Sequence, residues 1–299
     1  MRNRGDPVST FSCPKEVNEM KKRIFAAIMA FCMVFALAAC GESGGEKASH
    51  SPQSGGEPEV TPGNSGEEEQ GGTLSASVTF ESQTSTVEED GVTYMTAESL
   101  VPTVTIDGGS AGGEAAEAIE QTLTERLTVA QETIDEYAEM AREQYATLGD
   151  GDTEFWGGYS QHYSAEVTRS EGVLSVRCTL DSFTGGAHGS TDEFGLTFDL
   201  ATGQLLTAAD LGPDIDALRA KVAESVAAQA AELEEGMISG DVGLFADGVL
   251  DTEQWYLSDE GLVVFAVTYE IAAYAVGPVY FTIPYSELGG LLNESLLME

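Results

Sequence analysis

The sequence predicts an α+β fold in which antiparallel sheets carry two main helices packed on one face, after a signal peptide and a disordered linker. Three observations support this prediction. Short segments that alternate apolar and polar residues, typical of strands, occur in three groups along the chain. Two longer segments between these groups repeat their apolar residues every three or four positions, which is the period of a helix. Strands in consecutive groups, with helices between the groups, favour an α+β arrangement over a parallel α/β sheet.

A signal peptide is predicted at residues 1–39, and its true start is expected at Met20, because residues 20–39 are typical of an export signal and residues 1–19 are not. A short basic segment after Met20 precedes the apolar and small residues 24–39, and Cys40 follows them. This order resembles the bacterial lipobox, so Cys40 is expected to be lipidated and to become the new N-terminus. A transmembrane helix is the alternative, but the apolar run is shorter than the roughly 20 residues needed to span a bilayer.

Three further segments follow the signal. Residues 40–72 are predicted to be a disordered linker, because they consist largely of Gly, Ser, Pro and Glu and have little apolar surface to bury. The rest is expected to comprise an N-terminal α+β segment at 73–154 and a C-terminal domain at 155–299. A lipid on Cys40 would hold this part at the extracytoplasmic face of the bacterial cell membrane, anchored by its acyl chains alone.

The N-terminal segment is predicted to contain two strands and one long helix. The strands are expected at 74–82 and 92–106, where Val, Thr and Tyr are frequent. A helix is predicted over 114–148, because its apolar residues lie on a single helical face. These residues are Ile119, Leu123, Leu127, Ala130, Ile134, Ala138, Ala141, Tyr145 and Leu148.

The C-terminal domain is predicted to alternate strands with one further long helix. Three antiparallel strands are expected at 155–168, 173–183 and 191–200. Pro213 indicates the start of a helix over 214–238, whose buried residues would be Ile215, Leu218, Val222, Val226, Leu233 and Met237. The last predicted elements are strands at 255–257, 262–269 and 279–283 and a short helix at 284–292.

The charge balance is strongly acidic. Residues 40–299 contain 48 Asp and Glu but 7 Lys and Arg, a net charge of −41. Such a surface would repel a phosphate backbone, which excludes nucleic acid as a partner. It would attract a cationic protein from a distance, especially at low salt. A solvated acidic surface that keeps a tethered protein soluble is the simpler explanation, and the two are compatible.

The residues offer little support for catalysis. Gly108-Gly109-Ser110-Ala111-Gly112 matches the G-x-S-x-G elbow of serine hydrolases and lies between a predicted strand and a predicted helix. That elbow requires a buried parallel sheet and an upstream oxyanion-hole segment, and the sequence indicates neither. A glycosidase pair cannot be chosen among the many carboxylates, because that chemistry depends on their separation in space. We therefore predict no catalytic residues, without excluding an enzyme.

Metal and cofactor sites are not expected either. A zinc site requires several His or Cys ligands, and the folded part offers His162, His188 and Cys178. The acidic segment that begins at Asp150 starts like a calcium loop, but Phe155 occupies the sixth position, where such loops need Gly. Cys178 lies on the apolar face of a predicted strand and is interpreted as a small buried side chain.

Two segments are the most distinctive in the chain. The first reads Asp-Ser-Phe-Thr-Gly-Gly-Ala-His-Gly-Ser at 181–190 and continues to Phe-Asp-Leu-Ala-Thr-Gly at 198–203. The second reads Tyr-Glu-Ile-Ala-Ala-Tyr-Ala-Val-Gly-Pro at 269–278 and continues to Ile-Pro-Tyr-Ser-Glu-Leu at 283–288. In this order, the segments resemble the extracellular domain of RsiV-type anti-sigma factors, a domain widespread in bacterial surface proteins and often without an assigned function. The likeness covers roughly residues 155–292, and residues 74–148 resemble its N-terminal companion more weakly.

This resemblance implies a binding function, because RsiV-type domains bind lysozyme, a strongly cationic protein. The chain shows no cytoplasmic anti-sigma segment, so relay of a signal across the membrane is not expected. His188, Tyr269 and Tyr274 are the candidate ligand-binding residues. For His188 the alternative is a hydrogen bond within its own hairpin, and for the tyrosines it is packing of a sheet against a helix.

The sequence therefore predicts a lipid-anchored surface protein with a non-catalytic binding domain. The expected partner is a cationic protein such as lysozyme or another component of the cell wall. A peptidoglycan-acting enzyme or enzyme accessory is the alternative.

Overall fold

The computed structural model describes residues 73–107, 112–149, 151–234 and 236–297. The predicted signal peptide, Cys40, the predicted linker and Ser110 lie outside these ranges. The described residues form a five-stranded sheet of order β1-β2-β3-β4-β5 and a three-stranded sheet of order β6-β7-β8, together with helices. The α+β class predicted from the sequence is confirmed.

In the five-stranded sheet, one pair of neighbouring strands is parallel and the other pairs are antiparallel. Its strands are β1 (Ser75–Glu89), β2 (Val92–Asp107), β3 (Tyr159–Arg169), β4 (Val173–Phe183) and β5 (Ser190–Asp199). β2 and β3 pair in parallel over a short stretch, with Met95 opposite Tyr159. Two helices connect β2 to β3. This long connection brings the chain back to the end of the sheet where β2 began, as a parallel pair requires.

The long helix predicted over 114–148 is wrong, because the chain forms two helices there. These are α1 (Gly112–Arg126) and α2 (Gln131–Tyr145). Between them, the Leu127 carbonyl accepts a hydrogen bond from Leu100 N at 2.9 Å, and Val129 N donates to Ser99 Oγ at 2.9 Å. The backbone groups that would continue the helix are thus bonded to β2 instead. The apolar stripe runs on through the break, so periodicity could not reveal it.

The three-stranded sheet consists of β6 (Trp255–Leu257), β7 (Gly261–Ala266) and β8 (Val279–Pro284). It is covered by α3 (Ile215–Ala230) and the short α4 (Val242–Gly248), which the sequence did not predict. α3 begins where expected, since Asp214 Oδ1 accepts hydrogen bonds from Asp216 N and Ala217 N at 3.1 and 3.0 Å.

Three predicted boundaries in this part were too long. α3 ends at Ala230 rather than at residue 238, because the chain beyond it pairs with another segment: Ser239 N and Gly240 N both donate to Ile271 O. β7 ends at Ala266 rather than at residue 269, where the chain enters a turn. The helix predicted at 284–292 is only a 3₁₀ turn at Tyr285–Glu287.

Each sheet has its own apolar core. α1 packs against the five-stranded sheet, where the buried side chains include Leu100, Leu123, Val176, Leu196 and Phe198. α3 and α4 pack against the three-stranded sheet, where they include Leu218, Val222, Phe245, Val264 and Phe281. No helix in the described ranges is both long and apolar enough to cross a membrane.

Candidate functional site

The three candidate residues meet on one exposed surface. The ring of His188 stacks on the ring of Tyr274 with centroids 4.3 Å apart and an interplanar angle of 28°. The ring of Tyr269 lies 5.4 Å from that of Tyr274, tilted by 32°. Tyr269 is 64% exposed and Tyr274 is 42% exposed, and His188 is also exposed. We call these three side chains the aromatic surface.

The connection between β4 and β5 positions His188. Gly185 and Gly186 adopt φ values of 84° and 93°, which side chains rarely allow. At Gly189 the constraint is space, since a Cβ there would lie 2.6 Å from Ser182 O. His188 Nδ1 donates to Gly189 O at 2.8 Å. The hydrogen bond expected of a residue that stabilises its own turn is therefore present together with the stacking on Tyr274.

A strained turn positions Tyr269. Tyr269 has a φ of 73° and lies in the turn 267–270, which Glu270 N closes by donating to Val267 O at 3.1 Å. The Glu270 carboxylate braces this turn, because its Oε2 accepts hydrogen bonds from Val267 N at 3.0 Å and Gln254 Nε2 at 2.5 Å. A side chain in this left-handed region costs about 1–2 kcal/mol relative to ordinary backbone. Strain retained at an exposed aromatic residue is a feature that functional sites share.

Tyr274 begins the 3₁₀ turn Tyr274–Val276, which ends at Gly277 with a φ of 78°. This turn precedes β8, so the aromatic surface joins the hairpin of one sheet to a connection of the other. The sequence placed His188 and the tyrosines in separate segments, and the structure brings them together.

The basic side chains of the described residues are all engaged. Five form ion pairs with carboxylates: Arg126 with Glu253, Arg142 with Glu89, Arg177 with Glu166, Arg219 with Asp251, and Lys221 with Glu287. The sixth, Arg169, is 3% exposed and donates to Glu171 O, Leu296 O and the Tyr285 hydroxyl. Residues 73–299 hold 41 acidic side chains, so the carboxylates there far outnumber the six basic side chains of the described ranges.

The His and Cys side chains considered for metal binding do not form a common site in the described ranges. His162 pairs with Glu98 across 3.1 Å. Cys178 is buried, and burial raises the pKa of its thiol to about 12, so the nucleophilic thiolate is scarce at neutral pH. In the part of the chain that the structure describes, no three His, Cys, Asp or Glu side chains lie close enough to hold a metal ion.

Sequence reasoning missed a cleft of about 230 Å³ next to the turn that holds Tyr269. Its lining residues are Asp241, Leu244, Phe245, Gly248, Val249, Thr252, Gln254, Glu270 and Ile271. We call it the apolar cleft. The signal that could have indicated it is Asp241 followed by apolar residues at 242, 244, 245 and 249, which is the pattern of a short capped helix. No element was predicted for this segment, which lies beyond the helix predicted over 214–238.

Residues 209–286 match the family described as "Protein of unknown function (DUF3298)". No curated protein matches the chain. Among solved structures, a DUF3298 family member from Bacteroides fragilis has a TM-score of 0.47 and 17% sequence identity, over 75% of this chain and 96% of that one. A DUF3298 family protein from Pseudomonas aeruginosa has a TM-score of 0.45 and 16% identity, over 77% of this chain and 99% of that one.

The matched segment contains α3, α4, the apolar cleft, both tyrosines of the aromatic surface and the three-stranded sheet, whereas His188 lies before it. At the level of the domain, this chain therefore carries a segment similar to the DUF3298 family, whose function is unknown.

Proposed function

We propose that this protein is a lipid-anchored surface protein whose folded part binds a cationic protein without catalysis. The resemblance of residues 155–292 to RsiV-type domains makes lysozyme the first partner to test. The anchor would be the lipid on Cys40, at the extracytoplasmic face of the cell membrane.

The aromatic surface is the observation that carries the proposal. Three rings are left exposed, with the Tyr274 ring in contact with each of the other two, and Tyr269 is held by a turn that adopts unfavourable backbone geometry. Exposed tyrosines in a rigid cluster are typical of the few residues that supply most of the binding free energy at protein interfaces. If the rings served only to pack the sheet, they should be buried, whereas the Tyr269 side chain is 64% exposed.

The charge distribution supports a cationic partner. Each described Lys or Arg side chain forms an ion pair within the fold or is buried. The long-range electrostatic field of the folded part is therefore that of an anion. Such a field accelerates association with a positively charged protein and weakens as salt screens it.

Calorimetric titration with lysozyme tests this function. The full chain would carry Cys40→Ser to prevent lipidation, and titrations would be run at about 20 mM and about 200 mM NaCl, where the Debye length falls several-fold. We expect saturable binding without turnover, weaker at the higher salt. Replacing both Tyr269 and Tyr274 by Ala should raise the Kd at least about 30-fold, as loss of a hot spot does.

The matched control is Val101→Ala, which shortens an exposed apolar side chain on β2 and should leave the Kd unchanged. Absence of a complex at low salt would remove lysozyme as the partner. Release of muropeptides from peptidoglycan by the purified protein would overturn the non-catalytic assignment and favour an enzyme.

The anchor is tested separately. Bacteria that express the chain and are fed labelled palmitate should incorporate the label into the wild-type protein but not into the Cys40→Ala variant. Equal labelling of both, or recovery of the wild-type protein in the cytosol, would contradict a lipid on Cys40.

A further inference from the structure

The walls of the apolar cleft are hydrophobic. Phe245, Val249 and Ile271 line it and are themselves almost fully buried, at 6%, 1% and 1% exposure. Leu244 stands at its edge and is 74% exposed, which is unusual for a leucine in a helix that packs on a core. Covering the cleft with an apolar group would therefore be favourable mainly through Leu244, whose side chain keeps most of the exposed apolar surface.

Two carboxylates stand among the lining residues. Asp241 Oδ1 accepts a hydrogen bond from Leu244 N at 3.0 Å and begins α4, while the hydrogen bonds to Glu270 come from neutral donors. Neither carboxylate takes part in an ion pair with a described residue, since the six basic side chains there are engaged elsewhere. Negative charge at the cleft is thus uncompensated within the described fold.

This combination selects one kind of occupant. An anionic group would be repelled by Asp241 and Glu270. A purely apolar group would take these exposed carboxylates out of water without offering them a partner. The side chain of Arg or Lys suits both parts, because its methylene stem can lie on apolar walls while the charged end meets the carboxylates. At about 230 Å³ the cleft is also smaller than the roughly 300–1,000 Å³ of typical small-molecule sites, which favours a single side chain.

The cleft is continuous in sequence with the aromatic surface. Glu270 and Ile271 follow Tyr269 directly, and Ile271 O accepts hydrogen bonds from Ser239 N and Gly240 N at 2.9 and 3.0 Å. These bonds tie the residues after Tyr269 to the segment that leads into α4. A partner seated on the aromatic surface would therefore lie next to the cleft.

We propose that the apolar cleft binds an Arg or Lys side chain of a cationic protein partner. The identity of that partner rests on the proposed function, whereas the chemistry of the cleft can be tested without it.

The direct test follows backbone amide shifts of the ¹⁵N-labelled full chain during titration with N-acetyl-arginine amide. We expect saturable shifts at Leu244, Gly248 and Ile271. N-acetyl-citrulline amide has nearly the same shape without the charge, and it should shift these amides much less. Equal responses to the two probes, or none to either, would overturn the proposal.

Variants identify the carboxylates. Asp241→Asn together with Glu270→Gln removes both charges while keeping an N-cap acceptor and the acceptor for Val267 N and Gln254. The Kd for the arginine probe should rise about threefold or more, as expected for the loss of two exposed charge contacts. Glu81→Gln with Glu88→Gln removes two exposed charges on β1 and should leave that Kd unchanged.

The two proposals can fail independently. Binding of the arginine probe without any lysozyme complex would reject lysozyme as the partner and retain the cleft. A lysozyme complex that is weakened by the tyrosine variants but not by Asp241→Asn with Glu270→Gln would retain the proposed function and reject the cleft as part of its interface.

Discussion

The hydroxyl of Tyr280 donates a hydrogen bond to the carboxylate of Glu193, with its oxygen 2.7 Å from Oε2 and 2.9 Å from Oε1. Tyr280 lies on β8 and Glu193 on β5, so this contact connects the three-stranded sheet to the five-stranded sheet. The Glu193 side chain is only 5% exposed, with Arg177 3.8 Å away. Further polar contacts join the same two sheets, such as the hydrogen bonds that Leu257 makes with Thr168 and Ser175.

Glu193 should make stability depend on pH. Burial raises its pKa above the ordinary value, although Tyr280 and Arg177 act in the opposite direction. A carboxyl whose pKa is raised in the folded state binds protons more strongly there, so its contribution to stability is lost as the pH rises from about 4.5 through the folded pKa. Glu193→Gln, which keeps an acceptor, should therefore raise the free energy of unfolding at pH 7 by about 1 kcal/mol or less.

Chemical denaturation at pH 7 and pH 4 measures this difference. At pH 7 the free energy of unfolding of Glu193→Gln should exceed that of the wild type. This difference should shrink at pH 4, where wild-type Glu193 is largely protonated. Tyr280→Phe serves as the comparison, because it leaves a buried carboxylate without its donor and should cost about 1–3 kcal/mol at pH 7. A Gln variant less stable than wild type at pH 7 would show that the ionised carboxylate is favourable after all.

Gly195 should be intolerant of any side chain. Its N–H donates to Glu253 O at 2.6 Å, and a Cβ would lie 1.8 Å from Trp255 O, where β5 meets the chain entering β6. Because the obstacle is backbone, Gly195→Ala should lower the free energy of unfolding by about 1–3 kcal/mol or more, as overpacking does. Gly157→Ala is the matched control, since no atom lies within 4 Å of its Cβ position. Similar melting temperatures for the two variants would contradict the close approach of these segments.

Tyr269 should contribute to binding at a cost in stability, because its backbone conformation is unfavourable for a residue with a side chain. Gly at this position accepts the φ of 73° without steric cost, whereas Ala does not. We expect Tyr269→Gly to be more stable than Tyr269→Ala by about 0.5–1 kcal/mol, while both lose lysozyme binding to the same extent. Denaturation and calorimetry on the two variants give the two quantities.

Asp90 provides the control for this prediction, because it has a φ of 52° in the turn between β1 and β2, apart from the aromatic surface. Asp90→Gly should change stability in the same direction relative to Asp90→Ala and leave binding unaffected. Retention of full binding by Tyr269→Gly would remove Tyr269 from the interface.

Cys178 should be chemically inert in the folded protein. Its pKa of about 12 and its burial leave almost no accessible thiolate at pH 7. In residues 40–299 carrying Cys40→Ser, where Cys178 is the one cysteine, a thiol reagent should react with Cys178 only after denaturant is added. Rapid reaction in the native state would contradict this prediction, because it would show that the Cys178 thiol is accessible to the reagent in the folded protein.

The bounds of some strands and the start of one helix were predictable from neighbouring residues alone. The bounds of β4 and β6 follow from alternating residues, and the start of α3 follows from its cap at Asp214. The break between α1 and α2 was not predictable, because Leu127 continues the apolar stripe while its carbonyl is bonded to Leu100 of β2. Periodicity reports which side chains are buried, not which distant strand competes for the backbone.

The sequence by itself determined the α+β class, the acidic charge and the two segments that carry the candidate residues, since these depend on composition and on neighbours a few positions apart. Only the tertiary structure decided that His188 stacks on Tyr274, that Arg126 pairs with Glu253, and that a cleft opens beside Tyr269. These relationships join residues far apart in the chain. Their geometry depends on how the two sheets pack, which no local spacing encodes.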